Sequence, residues 1–197
     1  DMFNGIVQSR GKVFKIHFGK DNFVDIKTKL DLHSTGIGSS LSCNGICLTI
    51  INKKKINKEY MVRLNFSEET INKSNIKYWK KNTLINLEKS MILNQEISGH
   101  FVYGHIDGVS IVKKINKLPN SWYFYFSYPN LNEKKFFVQK GSITINGISL
   151  TIAKILKNSF SVNIIPHTLE VTNFSDIFIN DKVNIEYDMM ARYIFKK

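Results

Sequence analysis

The sequence predicts an all-β protein made of two tandem, similar, small Greek-key β-barrels related by internal duplication, followed by a short C-terminal helix. Three observations lead to this fold class. A seven-residue phrase occurs twice, apolar and polar residues alternate with a period of two in many short runs, and turn-forming residues separate those runs. Closure into barrels suits many short strands because it removes exposed sheet edges. We expect the barrels at residues 1–94 and 95–187 and the helix at residues 188–197.

The duplication is indicated by phrases that recur in the same order in both halves. Residues 44–50 read NGICLTI and residues 146–152 read NGISLTI, so six of seven positions are identical at an offset of 102. Further along, residues 84–88 (LINLE) align with residues 182–186 (KVNIE) at an offset of 98. A lone Asn-Gly pair would mean little, but ordered matches at near-constant spacing indicate two copies of one unit.

Each repeat has the pattern of short strands with few helices. Apolar–polar alternation predicts strands near residues 24–26, 61–66, 84–87, 143–145, 148–152, 160–164 and 183–185. At the Asn-Gly pair the apolar phase shifts by one residue, which predicts a bulge or a tight turn. Short helical turns are expected at residues 67–72 and 167–174, and a helix with Asp188 as its N-cap is expected near the C-terminal end.

The formal net charge of +12 raises the question of nucleic-acid binding, and the composition argues against it as the main function. Only three of the 28 basic residues are Arg, the side chain that makes forked contacts to phosphate and guanine. Ile, Lys and Asn together make up 73 of 197 residues, and all three have codons rich in A and T. We attribute the charge to genomic base composition, with steering of anionic ligands as the alternative. No nucleic-acid partner is expected.

Composition also limits the other classes of protein. No apolar stretch approaches the ~18 residues that would span a bilayer, and the start has neither the basic nor the apolar region of a secretion signal. We therefore expect a cytoplasmic protein without a membrane partner. Cys43 and Cys47 are too few for a disulfide scaffold and lack the spacing of a zinc site, so no metal is expected.

Five segments together resemble one known family. They read MFNGIVQ at residues 2–8, NGICLT at 44–49, GHFVYGHIDG at 99–108, KGSITINGISLT at 140–151 and IPHTL at 165–169. Through these segments the sequence resembles riboflavin synthase, the alpha-chain type with two lumazine-binding barrels. The resemblance implies dismutation of two 6,7-dimethyl-8-ribityllumazine molecules. Transfer of a four-carbon unit between them gives riboflavin and 5-amino-6-(D-ribitylamino)uracil, the last step of riboflavin biosynthesis.

The resemblance also has implications for cofactors and assembly. Family members need no metal or redox cofactor, which agrees with the absence from this sequence of a Walker loop or a G-x-G-x-x-G turn. Their substrate site lies between the first barrel of one subunit and the second barrel of a neighbour, so the resemblance implies a homotrimer. It further suggests lumazine synthase as a partner.

Two substrate pockets are implied by the resemblance, one for each barrel. The first pocket would use Gly5, Ile6, Val7, Cys47, Leu48, Thr49, Asn65, Phe66, Ser67, Glu68, Glu69 and Thr70. The second would use Gly104, His105, Ile106, Lys140, Ser149, Leu150, Thr151, Ile164, Ile165, Pro166, His167, Thr168 and Leu169. Backbone amides and Thr hydroxyls can pair with the ring edge of a lumazine, and the ribityl hydroxyls need polar partners as well.

Six residues are candidates for the chemistry. They are His105, Ser149, Thr151, Cys47, Asp188 and Phe3. The family's substrate has an acidic 7-methyl group, so the site must take and return protons, and histidine suits this because its ordinary pKa lies nearest neutrality. Ser149 and Thr151 could orient a water molecule or add to the ring, and Cys47 is the first-repeat counterpart of Ser149. Asp188 could orient such a group, and Phe3 would form a wall of the site.

One alternative keeps the fold but lacks catalysis, namely a lumazine- or flavin-binding antenna protein. Such relatives keep one functional pocket, so their second repeat should be degraded. The second repeat of this sequence instead retains the residues that the family uses, which favours the enzyme; they are His105, Lys140, Ser149, Thr151 and Pro166. The role of His100 stays open between structural and functional.

Overall fold

Twelve strands among residues 2–195, the part of the chain that the computed structural model describes, form two closed antiparallel barrels. The first barrel contains β1 (Ser9–His17), β2 (Phe23–Thr28), β3 (Ser40–Cys43), β4 (Ile46–Ile56), β5 (Glu59–Asn65) and β6 (Leu84–Lys89). The second contains β7 (Gly108–Leu118), β8 (Ser121–Ser127), β9 (Ser142–Ile145), β10 (Ile148–Ile155), β11 (Ser159–Ile164) and β12 (Lys182–Tyr187). The fold class that the sequence predicts is confirmed.

The two barrels share one topology. Around the first, the strand order is β1-β2-β5-β4-β3-β6, and around the second it is β7-β8-β11-β10-β9-β12. Even the bulges correspond: β1 is irregular at residues 13–15 and β7 at 112–114, while β4 is irregular at 50–52 and β10 at 152–154. The strands lie within the expected ranges 1–94 and 95–187, and residues 1 and 196–197 lie outside the described part of the chain.

Each barrel encloses its own apolar core. Inward-facing aliphatic residues of β2, β4 and β5 fill the first core, with Val24, Ile50 and Leu64 fully buried. The second core is more aromatic, and the ring of Phe124 meets that of Phe174 edge to face at a centroid distance of 5.0 Å. Because strand side chains alternate between faces, the neighbouring residues of these strands are left for the outer surface.

Both Asn-Gly pairs form two-residue hairpin turns, as predicted. Asn44 and Gly45 have φ of 48° and 80°, and Asn146 and Gly147 have φ of 47° and 78°. Positive φ at both central residues is the type I′ geometry that Asn-Gly favours, and it matches the twist of the flanking strands. The two turns meet between the barrels, where a Cβ on Gly45 would lie 2.7 Å from the Gly147 nitrogen. No side chain fits there, so the hairpins pack backbone to backbone.

Buried asparagines join the barrels around these turns. The Asn86 amide donates to the Asn146 carbonyl at 3.0 Å, and the equivalent Asn184 amide donates to the Asn44 carbonyl at 2.9 Å. Asn173 adds a further link, because its backbone N–H donates to the Asn86 side-chain oxygen at 2.8 Å. The network satisfies buried polar groups reciprocally and fixes one hairpin against the other.

Three short helices occur close to where the sequence predicts them. They are α1 (Glu68–Lys73), α2 (Pro166–Val171) and α3 (Met189–Ile194). Ser67 caps α1 by accepting from the Thr70 N–H, and Asp188 caps α3 by accepting from the Met190 N–H at 2.9 Å, so the predicted N-cap is confirmed. None of the helices within residues 2–195 combines the length and the apolar character that crossing a membrane requires.

Candidate functional site

The segment that precedes each barrel crosses over to contact the other barrel. Phe3 and Val102 form an antiparallel bridge, with N–H···O distances of 2.7 and 3.0 Å, which sets the two segments side by side. Beyond the bridge, the Gly5 carbonyl accepts from the Ser149 N–H at 2.8 Å, and the Gly104 carbonyl accepts from the Cys47 N–H at 2.9 Å. Each barrel therefore receives one wall of its candidate site from the other repeat.

This crossing corrects the expected grouping of the pocket residues. The sequence predicts each crossing segment beside its own barrel, whereas the structure places it beside the other barrel. Gly5, Ile6 and Val7 lie at the second barrel, and Gly104, His105 and Ile106 lie at the first. Val7 packs against the second core and Ile106 against the first. The exchange is invisible to strand periodicity because the crossing segments lie outside the barrels.

A cleft of about 560 Å³ opens beside Cys47 on the first barrel. Seven of the predicted residues line it: Cys47, Ser67, Glu69, Thr70, Gly104, His105 and Ile106. Sequence reasoning missed six others: Ile46, Lys73, Ser74, Asp107, Glu133 and Arg192. The GHIDG phrase gave a signal for Asp107 and the NGICLT phrase gave one for Ile46, whereas the other four residues lie outside the matching segments and had none. The cleft offers hydroxyls, backbone groups and charges of both signs.

An ion pair closes one end of the cleft. Arg192 of α3 donates to Asp107 at 2.6 Å, and the same carboxylate oxygen accepts from the Tyr187 N–H at 2.7 Å. Burial raises the pKa of Asp107 to about 6, while the Tyr187 N–H and Arg192 act in the opposite direction. Glu133 accepts from the Tyr187 hydroxyl at 2.8 Å. The ion pair between Arg192 and Asp107 attaches α3 to the segment that precedes β7, beside the cleft.

On the second barrel, His100 lies against Ser149. Its Nδ1 is 2.7 Å from the Ser149 hydroxyl, and its Nε2 is 3.1 Å from the Thr144 hydroxyl. Burial lowers the pKa of His100, although the nearby Asp188 carboxylate acts in the opposite direction. A neutral imidazole has one donor and one acceptor nitrogen, so it can accept the Ser149 proton while donating to Thr144. His100, left open by the sequence, is thus positioned to act as a base.

Four predicted site residues have buried side chains. They are Leu48, Phe66, Ile164 and Phe3. Strand alternation explains the first of these, since Cys47 and Thr49 face outward and the residue between them faces the core. Phe3 is fully buried at its bridge to Val102, and its expected role as a wall of the site stays a prediction.

The other predicted residues are exposed or half-buried, and their contact with a ligand stays a prediction. Exposed positions are Ile6, Thr49, Asn65, Glu68, Lys140, Thr151, Ile165, Pro166 and His167. Half-buried positions are Leu150, Thr168, Leu169 and Asp188. The backbone N–H of Lys140 donates to the Ile152 carbonyl at 2.9 Å, which holds its turn beside β10.

Two buried carboxylates hold the crossing segments in place. Glu88 of β6 accepts from the backbone of Asn4 and Gly5, and Glu186 of β12 accepts from the backbone of Tyr103 and Gly104. Burial raises the pKa of each to about 7, although the backbone N–H donors act in the opposite direction. Sequence reasoning aligned the two residues but assigned neither to a site.

Comparison with known proteins agrees with the duplicated architecture. The family "Lumazine binding domain" matches residues 4–90 and again residues 103–188. Riboflavin synthase of Photobacterium leiognathi is 37% identical over 99% of this chain and 88% of its own length. Riboflavin synthase of Bacillus subtilis (strain 168) is 34% identical over 99% of this chain and 89% of its own length.

Solved structures show the same fold. LumP complexed with riboflavin superposes with a TM-score of 0.82 at 23% identity, covering 94% of this chain and 98% of LumP. LumP complexed with 6,7-dimethyl-8-(1'-D-ribityl) lumazine gives a TM-score of 0.78 over the same shares of both chains. The protein is therefore of the class with tandem lumazine-binding domains. Within that class, the chain belongs to the riboflavin synthase family.

Proposed function

We propose that this protein catalyses the dismutation of 6,7-dimethyl-8-ribityllumazine. One molecule gives a four-carbon unit to a second, and the products are riboflavin and 5-amino-6-(D-ribitylamino)uracil. The observation that carries the proposal is the pair of equivalent strand positions, Cys47 and Ser149, each bonded to a glycine carbonyl of the opposite repeat at 2.9 and 2.8 Å. Similarity to riboflavin synthases over nearly the whole chain supports the same activity.

A reaction between two copies of one molecule needs two similar sites. Duplicated barrels supply them, and holding both rings in reacting geometry makes a bimolecular step effectively unimolecular, which can lower the barrier by several kcal/mol, up to about 7–11. In the first site, backbone groups near Cys47 face the ring edge, and Ser67, Glu69 and Thr70 offer partners for ribityl hydroxyls.

Proton transfer is assigned to the histidines. His105 lines the first cleft, where it can take a proton from the 7-methyl group and return it later. His100 accepts from or donates to Ser149 at 2.7 Å, so Ser149 can orient a water molecule at the second site. Thr151 lies two residues further along the outward face of β10, and Asp188 lies near the His100 ring.

The assembly and location are proposed together. A homotrimer, with each working site between the first barrel of one subunit and the second barrel of the next, would cover the exposed apolar side chains of α3, namely Met190, Tyr193 and Ile194. The location proposed for the protein is the cytoplasm. Light scattering tests the trimer, because a strict monomer that still catalyses would refute a site shared between subunits. Co-purification tests association with lumazine synthase.

The activity is tested by mixing the purified protein with 6,7-dimethyl-8-ribityllumazine in EDTA without added cofactor. Riboflavin fluorescence and loss of substrate are followed together. One riboflavin for every two lumazines consumed is the expected result, and it would also show that no metal is needed. Tight binding without turnover would favour an antenna protein, while neither binding nor turnover would refute the proposal.

A further inference from the structure

We propose that Glu186 and Glu88 are positioning residues that each build the substrate site of the opposite barrel. Glu186 belongs to the second barrel and would position the Cys47 site of the first. Glu88 belongs to the first barrel and would position the Ser149 site of the second. The inference deepens the proposed function and rests on it for the meaning of the two sites.

Each carboxylate uses both oxygens to hold two successive backbone N–H groups. Glu186 Oε1 accepts from the Tyr103 N–H at 2.7 Å, and Oε2 accepts from the Gly104 N–H at 2.9 Å. Glu88 repeats the arrangement with the Asn4 and Gly5 N–H groups at 2.7 and 3.1 Å. We call each set of two bonds a carboxylate clamp.

The clamps continue directly into the sites. Gly104 donates its N–H to Glu186 Oε2, and the Gly104 carbonyl accepts from the Cys47 N–H at 2.9 Å. Contact is so close that a Cβ on Gly104 would lie 2.5 Å from the Cys47 Cβ. His105 is the next residue along the chain. A shift of this segment therefore moves the Cys47 wall and the cleft histidine together.

The barrels themselves do not need these bonds. Residues 4–5 precede β1 and residues 103–104 precede β7, so the N–H groups in the clamps lie outside the strand ladders. Glu88 and Glu186 are only 4% and 2% exposed, and burial of a carboxylate is costly unless hydrogen bonds compensate for the water it loses. Both repeats nevertheless carry the carboxylate at the same position of the last strand, next to a crossing segment.

Replacement by glutamine tests the clamps with little change in volume. In Glu186→Gln one of the two acceptor oxygens becomes an NH₂ donor, which leaves a backbone N–H facing another donor. The crossing segment should then open more often and expose the half-buried Cys47 more fully. Glu88→Gln is the matched control, because it makes the same change at the equivalent position and should leave the Cys47 wall in place.

The readout is the rate of alkylation by iodoacetamide, with the labelled cysteine identified by fragmentation mass spectrometry. Glu186→Gln is expected to raise the rate at Cys47 by about tenfold, which corresponds to about 1.4 kcal/mol in the local opening equilibrium. Cys43 is fully buried in the first core and serves as an internal control for opening of the whole barrel. Its rate should stay unchanged.

A second pair of variants reverses the experiment. Ser149→Cys in a Cys47→Ser background moves the accessible thiol to the second barrel. In that background Glu88→Gln should raise the alkylation rate and Glu186→Gln should not. If a glutamine variant fails to fold, the aspartate variant at the same position is used in its place. The shorter aspartate side chain keeps the charge but reaches the two N–H groups less well. The same crossed pattern of alkylation rates is therefore expected.

The crossed pattern supports the proposal and every other pattern overturns it. Equal effects of both glutamine variants on both thiols, or a parallel rise at Cys43, would mean that the carboxylates merely stabilise the fold. No change at either thiol would mean that the clamps do not hold the segments. Labelling needs no lumazine, so it tests the clamps independently of the proposed activity. If the wild-type chain shows no turnover of lumazine, the proposed activity is refuted and the labelling result is unaffected. In an active enzyme, both variants should lower kcat/KM.

Discussion

Replacing Asn86 with alanine should remove a side chain that makes three hydrogen bonds between the two barrels. Its amide donates to the Asn146 carbonyl at 3.0 Å and to the Asn173 side-chain oxygen at 2.9 Å, and its oxygen accepts from the Asn173 N–H at 2.8 Å. Each bond contributes about 1 kcal/mol net, and each buried partner left unpaired costs about 1–3 kcal/mol. We expect Asn86→Ala to lower the free energy of unfolding by about 3–5 kcal/mol.

The duplicated fold supplies a matched comparison. Asn184 is the counterpart of Asn86, and its side chain makes two bonds, to the Asn44 carbonyl and from the Asn75 N–H. Asn184→Ala should therefore cost less, about 2–3 kcal/mol. Asn116→Ala, at an exposed position of β7, should stay within about 0.5 kcal/mol of wild type. Urea unfolding followed by circular dichroism and tryptophan fluorescence measures all three. A cost below about 1 kcal/mol for Asn86→Ala, or a larger cost for Asn184→Ala, would refute the reasoning.

Three further predictions follow from the site. Burial raises the pKa of Glu88 and Glu186 from 4.5 to about 7, so between these pH values the folded chain binds more protons than the unfolded chain. The free energy of unfolding should therefore fall as pH rises from about 4.5 to about 7, and urea unfolding at several pH values measures it. The double glutamine variant should show a smaller slope. Gly104→Ala places a Cβ 2.5 Å from Cys47 at a φ of +76° and should lower kcat/KM at least tenfold, whereas Gly36→Ala, with its nearest contact at 3.6 Å, should leave it unchanged. His105→Ala should lower kcat about 10²-fold or more, and a wild-type rate in the folded variant would refute its proton-transfer role.

The architecture could be predicted from the sequence because its determinants are local and repeated. Asn-Gly specifies a type I′ hairpin by its tolerance of positive φ, and the repeat of the phrase revealed two equivalent hairpins. Asp188 reads as an N-cap from its position before an apolar helical pattern, and it forms that bond. The repeated phrase also identified Cys47 and Ser149 as equivalent positions, because equivalent positions in a duplicated fold have equivalent surroundings.

The exchange of the crossing segments could not be predicted in this way. It depends on bonds between residues far apart in the chain, such as the Gly5 carbonyl with the Ser149 N–H. Nothing in the local sequence says on which barrel such a segment will lie. The clamps have the same property: Glu88 aligns with Glu186, but a glutamate in a strand is ordinarily exposed. The burial of each glutamate is explained only by the structure, in which two backbone N–H groups of a crossing segment donate to the carboxylate.

The exchange also decides where the two sites can become different. The frames of the two sites share the bridge between Phe3 and Val102 and the paired hairpins, so a change of backbone in these shared elements reaches both sites, whereas each clamp acts on one crossing segment. Side chains at the two candidate sites are free of this restriction, and there the repeats do differ: Cys47 aligns with Ser149, and His105 of the first site aligns with Ile6. The second site instead receives His100 from the connection between the barrels. His105 of the first site and His100 of the second thus come from different parts of the chain, so two similar frames can bind the same molecule and treat it differently.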